Sequence, residues 1–164
     1  MAGEPISDPT TDPAALLEEE ARLALPALSE SDAVAIGQLL LARAVARSLA
    51  VTIEVRRAGR VVFRAALPGT TADNDVWLEG KAAVVDRFGH STWLVRQRYL
   101  ARGTTFEAAT GLGRPAYAAS GGGYPLAVRG TGVIGVALVS GLPQEQDHAL
   151  IVEVLEAYVA GERA

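Results

Sequence analysis

The sequence contains no cysteine. It therefore has no disulfide framework, thiolate nucleophile or cysteine metal site. Histidine is nearly as scarce: His90 and His148 stand far apart in the chain, unlike the clustered ligands of a zinc site, and no metal centre is expected. Basic charge is in deficit too. The formal net charge is −4 and the isoelectric point about 5.2, whereas nucleic-acid binding leaves a basic footprint. No run approaches the roughly 20 apolar residues of a membrane span. The opening MAGEPISDPTTDP has neither the basic start nor the apolar run of a secretory signal. These absences point to a cytoplasmic protein without nucleic-acid or membrane partners.

What is present is a chain of 164 residues, 49% hydrophobic, long enough for one domain with a substantial core. Residues 1–12 are polar and proline-bearing, the composition of a disordered tail. From 13 to 164 the pattern is that of a single folded domain. Asp12 followed by Pro13 is a helix start, and Ser31 is placed to cap a second helix running to Leu49. Val51, Ile53 and Val55 alternate with Thr52, Glu54 and Arg56, a half-buried strand. Val61 to Ala66 returns as its hairpin partner. Helical spacing follows from Asn74 to Phe88, stopped by Gly89, and a fourth helix from the Ser91 cap to Ala101.

The C-terminal third reads as three strands and a helix. Ala116 to Ser120 is a short strand, GGGYPLAV enters the next, and Val133 to Ser140 forms a third, apolar on both alternating sets and so covered on both faces. Pro143 to Val159 closes the chain as a helix. The stretch GTGVIG (residues 130–135) fits the GxGxxG pattern, but a β-branched apolar run follows its last glycine where a dinucleotide fold needs a helix. It reads as a turn feeding a strand, and no NAD site is expected. The order ααββααβββα, with hairpins in place of helical crossovers, implies antiparallel pairing. The fold class is α/β: a single three-layer-type sandwich with a five-stranded, largely antiparallel sheet flanked by helices.

The segment YAASGGGYPLAVRGTGVIGVALVSGLPQEQDHALIVEVLEAYV resembles the C-terminal half of the haem-degrading-domain (GlcG/HbpS-like) family, and within it the uncharacterised cytoplasmic branch. The resemblance rests on Gly121, Gly122, Tyr124 and Pro125, on Gly132, Ile134 and Gly135, and on Ser140 to Pro143 followed by Asp147 and His148. Upstream, DNDVWLEGKAAVVDRFGHST is similar to that branch's Trp-x-x-x-Lys helix, here Trp77 and Lys81. Two positions depart from the pattern: Ser120 stands where His is frequent, and Gly80 where the branch has Arg. The resemblance implies a five-stranded α/β sandwich, homo-oligomers, and binding or breakdown of haem in some members.

Haem needs an axial ligand such as His, Met, Cys or Tyr, which leaves His90, His148, Met1 and four tyrosines. A second chemistry uses backbone: Ser140 and Gly141 end a strand where a helix opens, and helix N-termini attract anions. Ser120, Gly121 and Gly122 approach from a neighbouring strand end, and Lys81, one turn from Trp77, supplies a cation. The candidate ligand-binding set is therefore Trp77, Lys81, Ser120, Gly121, Gly122, Tyr124, Ser140, Gly141 and His148. Asp147 and His148 are adjacent on a helix and point about 100° apart, so a Ser-His-Asp triad is not expected, and no catalytic residue is assigned. The leading reading is a small-molecule-binding protein taking haem or a related tetrapyrrole. The alternatives are an oligomeric protein-binding adaptor without catalysis and an enzyme acting on a small carboxylate or other anion.

Overall fold

A computed structural model describes residues 5–164. Six helices and four strands follow one another as α1 (Pro13–Arg22), α2 (Glu30–Ala46), β1 (Thr52–Arg57), β2 (Arg60–Ala66), α3 (Ala72–Phe88), α4 (Thr92–Leu100), α5 (Phe106–Thr110), β3 (Gly123–Val128), β4 (Gly132–Ser140) and α6 (Gln144–Val159). The sheet order is β2-β1-β4-β3, and every pairing is antiparallel. Residues 130–135 form the β3–β4 turn and the start of β4, where Thr131 N–H donates to Val128 C=O at 3.0 Å.

Strand alternation divides the sheet between two layers of helices. Ile53, Val55, Ala137, Val139 and Leu126 join the buried residues of α2 and α6 in the main core. On the opposite face Val136 and Leu138 pack against Leu78, Ala82 and Val85 of α3. Beside them lies a charged patch: Glu54, fully buried, bonds both Arg56 and Arg64, and these reach on to Glu79 and Asp75 of α3. β4 is thus central and from Val136 to Ser140 covered on both sides, as its doubly apolar sequence implies, while its first residues, through Val133, are exposed.

The outer edge of β3 is closed by three different devices. Gly123 N–H donates to Thr92 Oγ1 at 3.0 Å. Pro125 has no N–H to offer. At the far end Leu25 N–H donates to Ala127 C=O and Arg129 N–H to Leu25 C=O, at 2.8 and 2.9 Å. Among the described residues no strand lies beside the outer edge of β2.

The sheet has four strands, not the five expected from sequence, and the element order carries an extra helix. Residues 116–120 are not a strand because their backbone turns to a helix: Ala118 N–H donates to Gly80 C=O of α3 at 2.9 Å. Gly80 permits that approach, since a Cβ there would lie 3.0 Å from both Ala118 Cβ and Pro115 C=O. The extra helix, α5, is a single capped turn whose buried Phe106 stacks edge-on against Phe88 and Tyr99. Two helix starts also move. α2 begins at the Ser29–Asp32 capping box, not at Ser31, and α3 begins at Ala72, with Asn74 Oδ1 accepting from Thr71 N–H at 2.8 Å.

Candidate functional site

The site forms where α3, the end of β4 and the start of α6 meet. Lys81, 2% exposed, extends from α3 into this seam. Its Nζ donates to Val139 C=O at 2.8 Å and to Asp147 Oδ2 at 3.0 Å. Asp147, in the first turn of α6, also accepts from Leu142 N–H at 3.0 Å and Gly141 N–H at 3.4 Å. One carboxylate therefore fixes the β4–α6 connection and neutralises a buried cation. Burial pulls the Lys81 ammonium below its ordinary value. It also pushes the Asp147 carboxyl up to about 6, against the attraction of Lys81 and the two backbone donors.

The glycines flanking the seam have steric reasons. A Cβ on Gly122, which holds φ +116°, would lie 2.3 Å from Val139 C=O and 2.6 Å from Lys81 Nζ. One on Gly141, at φ +152°, would meet Ala50 C=O at 2.1 Å. Gly121 leaves room for Gln144 C=O, which a Cβ would approach to 2.1 Å. Gly122 lets backbone pass close to the lysine, while Gly121 and Gly141 let it pass close to Gln144 and Ala50.

Above the ion pair opens a pocket of about 260 Å³, lined by Trp77, Lys81, Ser120, Ser140, Gly141 and Asp147, together with Asp73, Asn74, Leu142 and Gln144. Ser120 Oγ donates to Gln144 Oε1 at 3.2 Å, and Asn74 Nδ2 donates to Ser140 C=O at 3.3 Å. At the rim the Arg114 guanidinium stacks 3.5 Å from the Trp77 ring centre and sits 3.7 Å from Asp73. The walls are mainly hydroxyl, amide and charged groups on one aromatic side.

Five of the candidate residues thus line one pocket: Trp77, Lys81, Ser120, Ser140 and Gly141. Gly121 and Gly122 pack behind it. Tyr124 and His148 do not belong to it. His148 follows Asp147 but points into the interior, fully buried, 5.6 Å from the Tyr124 ring and 6.2 Å from Trp93. Its Nε2 lies 3.2 Å from Glu19 Oε1, which also accepts from Tyr124 Oη at 3.4 Å. Its Nδ1 is buried without a partner. His90 is tied to α1 instead, with Nδ1 2.7 Å from Glu20 Oε2.

Sequence reasoning reached Gln144 only as the end of the Ser140–Gln144 turn and did not single out Asn74 as a site residue, because an isolated amide carries no spacing signal; the two amides complete the pocket wall. A compositional signal was legible but silent until the structure placed it. Lys81 is the single lysine of the chain; the remaining basic residues are arginines.

A second hollow of about 480 Å³ lies over α6, between residues 5–9, Glu19, Arg47, Ala149, Val152, Glu153 and Glu156. The N-terminal segment that forms its wall is held by Trp93 Nε1, which donates to Thr10 C=O at 2.9 Å, and by Ile6 against the core.

An antiparallel sheet between two helical layers, with a polar pocket at the β4–α6 junction, defines the class: a small α/β sandwich domain. The family follows from comparison. A model described as "Haem degrading protein HbpS-like" matches residues 28–156, and the chain belongs to that family. It is 49% identical over 141 residues to a UPF0303 protein of Streptomyces avermitilis, covering 86% of each chain. It is 47% identical over 152 residues to one of Streptomyces coelicolor, covering 92% of this chain and 96% of the other. Among solved structures, Ybr137w protein superposes with TM-score 0.80 at 25% identity over 91% of this chain and 88% of that one. A structure described as a PduOC:Heme complex superposes at 0.64 and 21% identity, over 80% of this chain and 94% of the other, a likeness of fold.

The residues present do not fit a haem group. Among the described residues His148 has an unpartnered ring nitrogen, Nδ1, yet the side chain is fully buried, lines neither pocket and is held by Glu19. Neither pocket is lined by His, Tyr, Met or Cys. The Lys81 pocket is also smaller than the ~300–1,000 Å³ of sites for cofactor- or drug-sized ligands. Met1 lies outside the described residues. No helix is long and apolar enough to cross a membrane among those described.

Proposed function

We propose that this chain is a small-molecule-binding member of the HbpS-like family whose ligand is a compact carboxylate-bearing molecule held in the Trp77–Lys81–Gln144 pocket. One observation carries the reading: a lysine 2% exposed contributes the cation to the wall of a pocket whose other groups are hydroxyls, amides, one aromatic face and the carboxylates of Asp73 and Asp147. A buried ammonium is costly unless its donors are used. Lys81 has three donors, of which Val139 and Asp147 accept from two directions, and the remaining donor suits a ligand oxygen. Arg114 at the rim adds a second cation, and the first N–H groups of α6 favour negative charge. The haem reading draws support from the family and from the neighbour solved with heme, and the mismatch of ligands and volume weighs against it here.

The test is a titration of the purified protein with acetate, pyruvate and inorganic phosphate, followed by the Trp77 indole and Ser120 amide signals in NMR. Saturable shifts confined to the pocket, lost in Lys81→Met, are expected. Shifts that are absent for all three probes, or unchanged in Lys81→Met, would overturn the reading.

Self-association is the second reading, favoured by the unpaired outer edge of β2 and by the exposed Val61 upon it. Light scattering on the eluting protein measures it. A monomer at every concentration would rule it out.

A further inference from the structure

We infer that Lys81 captures a small carbonyl compound, a 2-oxo acid, as a Schiff base in this pocket. The inference rests on the pocket's being a ligand site and goes further, from binding to covalent chemistry.

Three independent observations point the same way. The first is the choice of residue. Every other basic side chain in the sequence is arginine, and arginine would serve better than lysine if the seam needed only a permanent cation with forked donors. Arginine does not give up its proton, whereas a lysine shielded from water does, and a neutral amine is the nucleophile that carbonyl carbon requires. The second is the partner. Asp147 Oδ2 lies 3.0 Å from Nζ, so a proton can pass from ammonium to carboxylate while the pair stays neutral overall. Burial moves both groups toward that exchange, lowering Lys81 and raising Asp147. The third is the space. Lys81 and Asp147 both line a pocket of about 260 Å³, enough for a few heavy atoms, and Ser120, Ser140 and Gln144 line it too, with groups that can hold oxygen.

The reaction balances on these groups alone. Lys81 passes a proton to Asp147, and the neutral Nζ adds to the carbonyl carbon. A C–N bond forms as the C=O π pair moves onto oxygen, which takes the proton from Asp147. Asp147 then removes a second proton from nitrogen and delivers it to the hydroxyl, which leaves as water while the nitrogen lone pair forms the C=N bond. The product is an iminium ion beside the Asp147 carboxylate, and one water molecule per carbonyl consumed. Charge is the same before and after, so the buried pair is preserved.

The test uses pyruvate and sodium cyanoborohydride with the intact protein, read by mass spectrometry and peptide mapping. One reduced adduct per chain is expected, equal in mass to pyruvate less water plus two hydrogens, located on the peptide that contains Lys81. Because this is the single lysine, the amino terminus is the other primary amine, and mapping separates the two without any variant. Lys81→Met, checked for native circular dichroism, should lose the mapped adduct. An adduct confined to the amino terminus, or none at all, overturns the inference. If pyruvate and acetate nonetheless shift the Trp77 and Ser120 signals, the binding reading stands without the covalent step. If neither shifts nor adduct appear, both fall.

Discussion

Lys81 and Asp147 form an ion pair 3.0 Å apart, with both side chains at or below 3% exposure, and the pair joins α3 to the first turn of α6. Removing one member of such a pair leaves an uncompensated buried charge, at a cost of about 3–5 kcal/mol. Asp147→Asn should therefore lower the urea midpoint sharply. Lys81→Met combined with Asp147→Leu should lose less than the sum of the two single changes, because it removes both desolvated charges together. A strictly additive double-mutant cycle would show that the two groups do not interact.

The same carboxyl has a definite pH signature. Its native value lies above the ordinary 3.8, at about 6, because burial disfavours the charge. Between those values unfolding releases a proton, so this group's contribution to stability is fully present below pH 3.8 and is lost as pH rises through about 6. Carboxyl-carbon NMR should show Asp147 titrating near 6. A midpoint near 4 would mean that the ion pair and backbone donors offset the burial.

Asp32 behaves in the opposite sense. Its carboxylate accepts from Ser29 N–H, Ser29 Oγ and Tyr158 Oη, each at 2.7 Å, and these bonds hold it below the ordinary value. Asp32→Ala should cost about 1 kcal/mol at pH 7 as a lost helix cap. The difference from wild type should shrink as pH falls from 3.8 through the lowered native value. Paired urea titrations at pH 7 and pH 3 measure it, and an unchanged gap would deny the carboxylate a role.

Two glycines with positive φ separate backbone strain from crowding. Gly130 faces open space, whereas a Cβ on Gly122 would press on Val139 C=O and Lys81 Nζ. Gly130→Ala should cost about 1 kcal/mol from φ alone, and Gly122→Ala a further 1–3 kcal/mol from overpacking. Equal losses in thermal unfolding would show that the lysine seam yields easily.

Haem provides the sharpest check on the site assignment. With His148 sealed behind Glu19 and Trp93, a haem titration should give no saturable Soret shift that depends on His148. A shift abolished by His148→Ala would require the Glu19–His148 contact to open, and would return haem to the first place among ligands.

Much of the architecture was legible in the sequence because period and capping agree locally. β1 announces itself by alternation, β4 by apolar residues on both sets, and α4 by the Ser91 cap. The false strand at residues 116–120 arose because short apolar runs say nothing about where their backbone bonds go. Only the approach to Gly80 decided that. α5 escaped because five residues give no periodicity, although Thr105 and Gly111 mark its two ends. At the site, the sequence grouped several residues that line one pocket, but adjacency in sequence misled. Asp147 and His148 are neighbours in the chain and sit in different environments, since a helix sends consecutive side chains about 100° apart. Lys81 and Asp147, far apart in sequence, are the pair that meets.

The two rims of the sheet are not equivalent. Thr92, Pro125 and Leu25 occupy the outer rim of β3, while among the described residues no strand lies beside β2. Were the β2 rim to pair, edge-to-edge joining would have a valence of one. Two copies that pair through β2 consume both open rims and present only sealed ones, so growth stops at a closed pair and an endless ribbon of sheets has no third place to add.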